Sequence, residues 1–276
     1  MSLFIASLNS GSNGNCYYVG NASEAILVDA GISCRETEKR MLRLNLSMSK
    51  VKAIFISHEH SDHIRGLVNL ARKYNLPVYI TPNTLLHSGL NLDVHLVRTF
   101  CAGETIQIGG LSVKAFAKLH DACDPHSFMI SWNNINVGVF TDIGDVCEAL
   151  SFHFKQCHAA FLEANYDDVM LDQGRYPYFL KKRIRGGHGH LSNAQALQLF
   201  NSLKPPFMTH LLLSHLSKDN NCPDLVHGLF NRHAEGVEII VASRYQETSV
   251  FQIGKGYSPV FTQPSPKREF VQTSLF

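Results

Sequence analysis

His58, Glu59, His60, Ser61, Asp62 and His63 follow one another directly behind the apolar run 54–56, so three imidazoles and two carboxylates crowd into one short stretch. Neutral imidazole and carboxylate are good ligands for zinc, manganese or iron, and no cysteine stands near to favour a closed structural zinc site. A strand ending at Ser57 would deliver His58, His60, Asp62 and His63 onto a loop, where alternate residues face one centre and the next pair a second. A zinc-protease helix of the HExxH type is excluded, because its second histidine would fall where Asp62 stands. A single histidine is usually solvated or hydrogen-bonded for structural reasons, but four donors in HxHxDH spacing reverse that expectation. Two metal ions need more donors than this loop holds. The chain offers them at the ends of predicted strands: His120 after "LSVKAFAKL", Asp142 after "VGVFT" and His215 after "HLLLS".

The elements that must carry these ends are short apolar or β-branched runs, among them "LFIASL", "AILVDA", "AIFIS", "INVGVFTD", "AAFLEA" and "VEIIVA", which read as strands. Helical spacing of apolar residues recurs over 35–46, 64–75, 192–203 and 223–233. Together they predict an α/β chain. A weak internal echo sharpens this: "ILVDAG" precedes "IFISHEH" as "GVFTDIG" precedes "LLLSHLS". Two similar halves would pack their sheets face to face with helices outside, bringing the polar strand ends of both to one rim. Residues 258–269, with three prolines and little apolar periodicity, read as a linker.

Composition sets the outer bounds. The 276 residues, 45% hydrophobic and 17% charged, suit a soluble globular protein with a sizeable core. Lys and Arg number 25 against 23 Asp and Glu, so any grip on nucleic acid must come from local clustering and not from a net charge of +2. The seven cysteines are odd in number, scattered and never in a CxxC pair, which reads as reduced thiols. The N-terminus lacks a basic leader region, and no run approaches the ~20 apolar residues of a bilayer span, so a cytoplasmic location without a membrane partner is expected.

The motifs "HEHSDH", "KLHDA", "FTDIG", "GHLSN" and "LLSHLS", in this order, resemble those of the metallo-β-lactamase-fold hydrolases. Within that family, "LNSGSNGNCYYV" and "GHLSNAQA" followed by "LLLSHLSKDNN" are similar to the YycJ/WalJ-like subgroup, over roughly residues 3–250. The resemblance implies a four-layer αββα sandwich of two mixed sheets with helices outside, as one domain over 1–257, with a linker and tail over 258–276. It also implies two divalent ions, zinc, manganese or iron. His58, His60 and His120 would hold one, Asp62, His63 and His215 the other, and Asp142 would bridge them. By the same resemblance Asp29 is a supporting residue that anchors a ligand loop, and His126 is expected on the rim or facing substrate. For His87, His95, His153, His158, His210, His227 and His233 only structural roles are expected.

The second half of the chain narrows the chemistry, since the fold by itself hosts several. "FLEANYD" and the later "GHGHLSNAQA" resemble the ribonuclease Z-type arrangement, in which a glutamate and a histidine outside the metal ligands act on the leaving oxygen. Here these would be Glu163 and His190, with His188 as a rival; the bland alternative is that His190 caps a helix starting at Ser192. Together with Asp62 they are the expected catalytic side chains. A departing sugar oxygen needs a proton, and an imidazole held protonated by a carboxylate can give one. Between them "RYPYFLKKRIR" concentrates Arg175, Lys181, Lys182, Arg183 and Arg185 among Tyr176, Tyr178 and Phe179. That pattern suits either a solvated helix face or a local grip on phosphates, with aromatics stacking on bases. The final residues Gln272, Thr273, Ser274, Leu275 and Phe276 resemble the short peptide by which bacterial replication and repair proteins bind the sliding clamp. The expectation is therefore a dinuclear metal-dependent phosphodiesterase acting on DNA, an exonuclease of the 5′-to-3′, repair-related kind suggested for the subgroup. A ribonuclease Z-like RNA-processing enzyme, a small-molecule phosphodiester or thioester hydrolase, and a non-catalytic clamp-bound scaffold are the alternatives.

Overall fold

The computed structural model of the chain describes residues 2–254. The expected linker and the tail residues Gln272, Leu275 and Phe276 lie outside the described residues.

Two seven-stranded sheets carry the described residues. The first takes β1 (Ser2–Asn9), β2 (Cys16–Gly20), β3 (Ala25–Val28), β4 (Val51–Phe55), β5 (Val78–Tyr79) and β6 (Val97–Arg98). The second takes β7 (Thr105–Ile108), β8 (Leu111–Ala117), β9 (His126–Trp132), β10 (Ile135–Phe140), β11 (Ala159–Glu163), β12 (His210–Ser214) and β13 (Glu238–Val241). The last strand, β14 (Phe251–Gly254), returns to the first sheet, whose order is β14-β1-β2-β3-β4-β5-β6; the second runs β13-β12-β11-β10-β9-β8-β7. Both are mixed, with an antiparallel half and a parallel half that starts at β3 in one and β10 in the other. The echo between "ILVDAG" and "GVFTDIG" is this shared construction. Each copy is the strand at which pairing turns parallel.

The apolar runs looked continuous because both faces of most strands are buried. In β3, Ile26 and Val28 face the space between the sheets, while Ala25 and Leu27 face helices. In β11, Ala159 and Phe161 point inward to the other sheet, and Ala160 and Leu162 outward to helices. Between the sheets, Phe161 packs on Tyr17 with ring centroids 4.9 Å apart, and Phe55 meets Phe128 at 5.6 Å. Helices α1 (Cys34–Arg43), α2 (Ser61–Ile64), α3 (Leu67–Tyr74) and α4 (Pro82–Ser88) follow the strands of the first sheet. Helices α5 (Glu148–Phe154), α6 (Asp168–Gln173), α7 (Tyr178–Arg185), α8 (Asn193–Leu203) and α9 (Pro223–Asn231) follow those of the second. Met41, Leu67 and Leu70 cover one outer face, and Phe154, Phe200 and Phe230 the other. This is the four-layer αββα arrangement that was expected. No described helix is long and apolar enough to cross a membrane.

One predicted helix is cut in two. The periodicity over 64–75 is broken at Arg65 and Gly66, which separate α2 from α3. Gly66 donates its N–H to the Ala30 carbonyl at 2.8 Å, and a Cβ there would lie 1.8 Å from the Ile32 carbonyl oxygen. Close approach of the loop after β3 thus decides where the helix stops. It also fixes α2, the short turn that carries Asp62 and His63. Helices α4, α5 and α6 escaped the sequence reading because six or seven residues hold too few turns for a periodicity to register.

Candidate metal centre

The C-terminal ends of strands that run in one direction form one rim, where ligand-binding residues of α/β sheets collect. Strand β4 leads to His58 and His60, and α2 adds Asp62 and His63; β8 leads to His120, β10 to Asp142 and β12 to His215. Three residues just beyond strand ends adopt the left-handed backbone: Asp29 (φ 63°), Asp142 (φ 55°) and His215 (φ 56°). Such conformations are costly for side chains other than glycine and persist where surrounding structure holds them. Here they turn each chain sharply off its strand, so that the side chain faces the rim.

All seven expected ligands converge. In one group His60 Nδ1 lies 3.0 Å from His58 Nε2 and 3.4 Å from His120 Nε2. In the other, Asp62 Oδ2 lies 3.5 Å from His63 Nε2 and 3.4 Å from His215 Nε2. Asp142 stands between them, with Oδ2 3.2 Å from His63 Nε2 and Oδ1 3.4 Å from His215 Nε2 and 3.9 Å from His120 Nε2. Its Oδ2 is buried without a well-aligned donor.

The outer partners of the imidazoles set their tautomers. Ser57 Oγ donates its single proton to Asp29 Oδ2 (2.9 Å), so it accepts from His58 Nδ1 at 2.9 Å. His63 Nδ1 donates to Asp29 Oδ2 at 2.7 Å, His120 Nδ1 to the Gly189 carbonyl at 3.0 Å and His215 Nδ1 to Glu163 Oε1 at 3.2 Å. Four Nε2 lone pairs therefore point inward, and only His60 is reversed, with Nδ1 on the inside. These inward nitrogens stand with the Asp62 and Asp142 carboxylates within reach of a shared cation, so the donor set fits divalent metal ions. Asp29 takes the supporting place expected of it, since it also accepts the Ser57 N–H at 2.8 Å.

Electrostatics agrees with that fit. Burial, aided by His63, pushes His58 well below the ordinary imidazole range. Burial acts in the same direction on His63 but is overcome by Asp142, Asp29 and Asp62, which hold it well above that range. His215, likewise opposed by burial, is raised to about 10 by Asp142, Asp62 and Glu163. The buried carboxylates thus create a strong demand for positive charge at this spot.

Several contributors were not anticipated. Asn15, in the glycine-rich loop before β2, places Nδ2 3.1 Å from Asp62 Oδ2 and 3.0 Å from His63 Nε2. Asn165 donates to the His215 carbonyl at 2.7 Å. Asp121 lies 3.3 Å from His120 Nε2 and pairs with Arg183. Lys118, buried and lowered by that burial, donates to the Thr141 carbonyl at 2.6 Å under the Asp142 turn. Composition of the "SGSNGN" loop was a signal for Asn15; the others carry none.

Glu163 and His190 meet, with His190 Nδ1 2.8 Å from Glu163 Oε1. The carboxylate does more than hold this one ring. Its Oε2 accepts the N–H groups of Ile143 (2.7 Å) and Leu191 (3.2 Å), and its Oε1 also reaches His215. His190 does not cap the following helix, because Ser192 does so through a capping box with Gln195. His188 is exposed and has no hydrogen bond to Glu163. A cavity of about 320 Å³ opens over the cluster, walled by His190, Tyr176, Leu180, Arg183 and Ser217.

The remaining candidates divide. Arg183 lines the metal cavity, whereas Lys181, Lys182 and Arg185 line another cavity along α7 with Asp172 and Tyr178, and most of these cations are engaged: Arg185 pairs with Asp172 at 2.6 Å, Lys181 donates to the Asp172 carbonyl at 2.7 Å, and Arg183 holds Asp121. Lys182 and Arg175 are exposed and carry no ion pair among the described residues. His126 starts β9 at the rim end, opposite Ala117, and donates its N–H to the Ser57 carbonyl at 2.9 Å, but its side chain does not face the cavity: it is 1% exposed, its ring set edge-on to Phe100 and its Nδ1 bonded to the Asp124 carbonyl.

A family model described as "Beta-lactamase superfamily domain" matches residues 24–215. Exodeoxyribonuclease YycJ of Bacillus anthracis is 38% identical over 228 residues, covering 82% of this chain and 86% of that protein. Exodeoxyribonuclease WalJ of Streptococcus pneumoniae is 32% identical over 225 residues, covering 80% and 84%. Among solved structures, the metallo-beta-lactamase fold protein YhfI from Bacillus subtilis superposes with a TM-score of 0.70 at 16% identity, over 91% of this chain and 100% of that one. The matched span runs from β3 to His215 and so contains every one of the converging donors: the chain belongs to the beta-lactamase superfamily and carries its metallo-β-lactamase fold.

Proposed function

We propose that this metal-dependent hydrolase is a nuclease that removes nucleotides from DNA ends. His58, His60 and His120 would hold one divalent ion, Asp62, His63 and His215 a second, and Asp142 would serve both. Bound zinc, manganese or iron supplies Lewis-acid polarisation of a phosphoryl oxygen and lowers the pKa of water.

The observation that carries the reading is the His190–Glu163 pair at the edge of the cavity. Glu163 is fully buried and fixes His190 through Nδ1, which leaves Nε2 for the cavity. An imidazolium so held can pass a proton to a departing sugar oxygen, a need that phosphodiesters with poor leaving groups impose. The cavity volume of about 320 Å³ sits at the low end of small-ligand pockets, ~300–1,000 Å³, and suits one nucleotide far better than an intact duplex. The two exodeoxyribonucleases among the relatives support DNA as the polymer. Lys182 and Arg175, exposed and without an ion pair among the described residues, are the basic residues with charge left to meet backbone phosphates.

The test is hydrolysis of 5′-labelled and 3′-labelled double-stranded DNA, single-stranded DNA and RNA, with each metal returned to stripped protein. Mononucleotide release from the 5′ end of DNA is the expected result. Equal or faster degradation of RNA, or activity confined to small diesters, would overturn it. Outside the described residues, Gln272, Leu275 and Phe276 would dock on a bacterial sliding clamp, in keeping with a place in repair. A labelled peptide covering 267–276 should bind purified clamp saturably, and failure to do so removes that partner.

A further inference from the structure

The metal cavity has a neighbour on the side away from α7. A second cavity of about 420 Å³ lies where the chain leaves β12 and β13, and Ser217 lines both. Its floor reaches the centre itself, since Ser10 lines it and accepts the His215 N–H on Oγ at 2.7 Å. Among the described residues its walls carry Lys218, Arg244 and Tyr245 and no carboxylate, in contrast to a third cavity along α7, where Asp172 lies among Lys181, Lys182 and Arg185. Lys218 is exposed and makes no ion pair among the described residues. Arg244 donates through Nη2 to the Leu216 carbonyl at 2.6 Å, which orients the guanidinium, and its other N–H groups make no hydrogen bond among the described residues. Tyr245 is 73% exposed, so its ring is open to a stacking partner.

We infer that this cavity is a second DNA subsite, which takes the phosphate and base of the strand next to the nucleotide in the metal cavity. Two cations without a compensating carboxylate suit a phosphodiester, and a half-free guanidinium can meet its oxygens with paired donors. An exposed ring beside them suits stacking of an unpaired base, because every base offers a π face. Ser217 lines both cavities, so a strand entering past Lys218 and Tyr245 comes within one side chain of the metal cavity. This inference rests on the nuclease reading of the neighbouring site.

The test uses metal-loaded, full-length protein and single-stranded phosphorothioate oligonucleotides of increasing length, beginning with the mononucleotide. Affinity should rise in a step when the strand becomes long enough to leave the metal cavity. Lys218→Glu and Tyr245→Ala, both at exposed positions, should abolish that step, a loss of about 5- to 100-fold, while mononucleotide affinity and nitrophenyl phosphodiester hydrolysis stay at wild-type level. Lys218→Glu should also flatten the salt dependence by about 0.7 per lost phosphate contact. If wild-type protein degrades DNA but both variants keep the step, the subsite is wrong and the nuclease reading stands. If wild-type protein fails to degrade DNA yet the variants remove the step, the nuclease reading falls and the subsite stands. Absence of any step in wild-type protein overturns the inference.

Discussion

Removing the His60 imidazole or the Asp142 carboxylate takes away a donor for which no neighbouring side chain can substitute. His60→Ala and Asp142→Ala should each lose metal and hydrolysis together, and elemental analysis of purified protein checks this; full metal content with full turnover would contradict the ligand assignment. His190 and Glu163 behave differently from one another despite their hydrogen bond. His190→Ala should keep its metal and slow DNA cleavage by roughly 10²–10⁴-fold, with a much smaller loss on a diester whose phenolate leaving group needs no proton. Glu163→Gln should lower metal content as well, because the same carboxylate orients His215 and accepts the Ile143 N–H beside Asp142. An equal effect of the two substitutions on metal content would show that Glu163 serves His190 alone.

At the scale of elements, α7 is a basic helix whose charges are unequal in what they have left to offer. Lys181 and Arg185 are drawn back onto Asp172 and Arg183 onto Asp121, whereas Lys182, with Arg175 just before the helix, is exposed without an ion pair among the described residues. Alanine at Lys182 or Arg175 should weaken DNA binding at every sequence and reduce the salt slope by about 0.9 per lost phosphate contact on duplex DNA. Alanine at Lys181 or Arg185 should change the slope less. Binding titrations over a range of salt decide it, and equal slopes for all four variants would mean that the intramolecular contacts give way to DNA. The capping box of α8 matters to the site for a related reason: it fixes Ser192 two residues after His190, and the chain enters the helix from a set position.

For the whole molecule, the donors come from both sheets, so metal binding and fold stability are coupled. The first sheet supplies His58, His60, Asp62 and His63, and the second His120, Asp142 and His215. In chelator-stripped protein the imidazoles titrate in opposite senses. His215, raised to about 10, contributes stability that is complete below about 6.5 and is lost as pH rises towards 10. His120 is held down to about 4, chiefly by burial, so below about 6.5 the unfolded chain takes up a proton that the folded one refuses. Melting temperature of stripped protein should therefore peak near neutrality and fall on both sides, while metal-loaded protein shows a higher and flatter profile on the alkaline side. Identical profiles with and without chelator would remove the coupling. The inter-sheet layer has its own test: Phe161→Ala leaves a cavity against Tyr17 and should cost about 3–5 kcal/mol in chemical denaturation.

Sequence alone determined the chemistry of the donors, the two-sheet architecture and the echo between halves, because ligand spacing at one loop and apolar runs along strands are local properties that a chain carries openly. His58 to His63 could be read as half a metal site before any fold was known. The other half was legible only as candidates at strand ends, and their meeting depended on parallel strands that bring distant ends to one rim. What tertiary structure decided is everything that needs two distant segments at one point: the tautomers fixed by Asp29, Ser57, Gly189 and Glu163, the place of Asn15 beside Asp62 and His63, the burial of the His126 side chain against Phe100, and the pairing of Arg183 with Asp121. The break between α2 and α3 belongs there too, since the helical pattern ran through Gly66 and only the backbone of Ile32 pressed against it stops the helix. Periodicity reports which face of a segment is apolar; it cannot report what a second segment, brought in by the fold, will put against it.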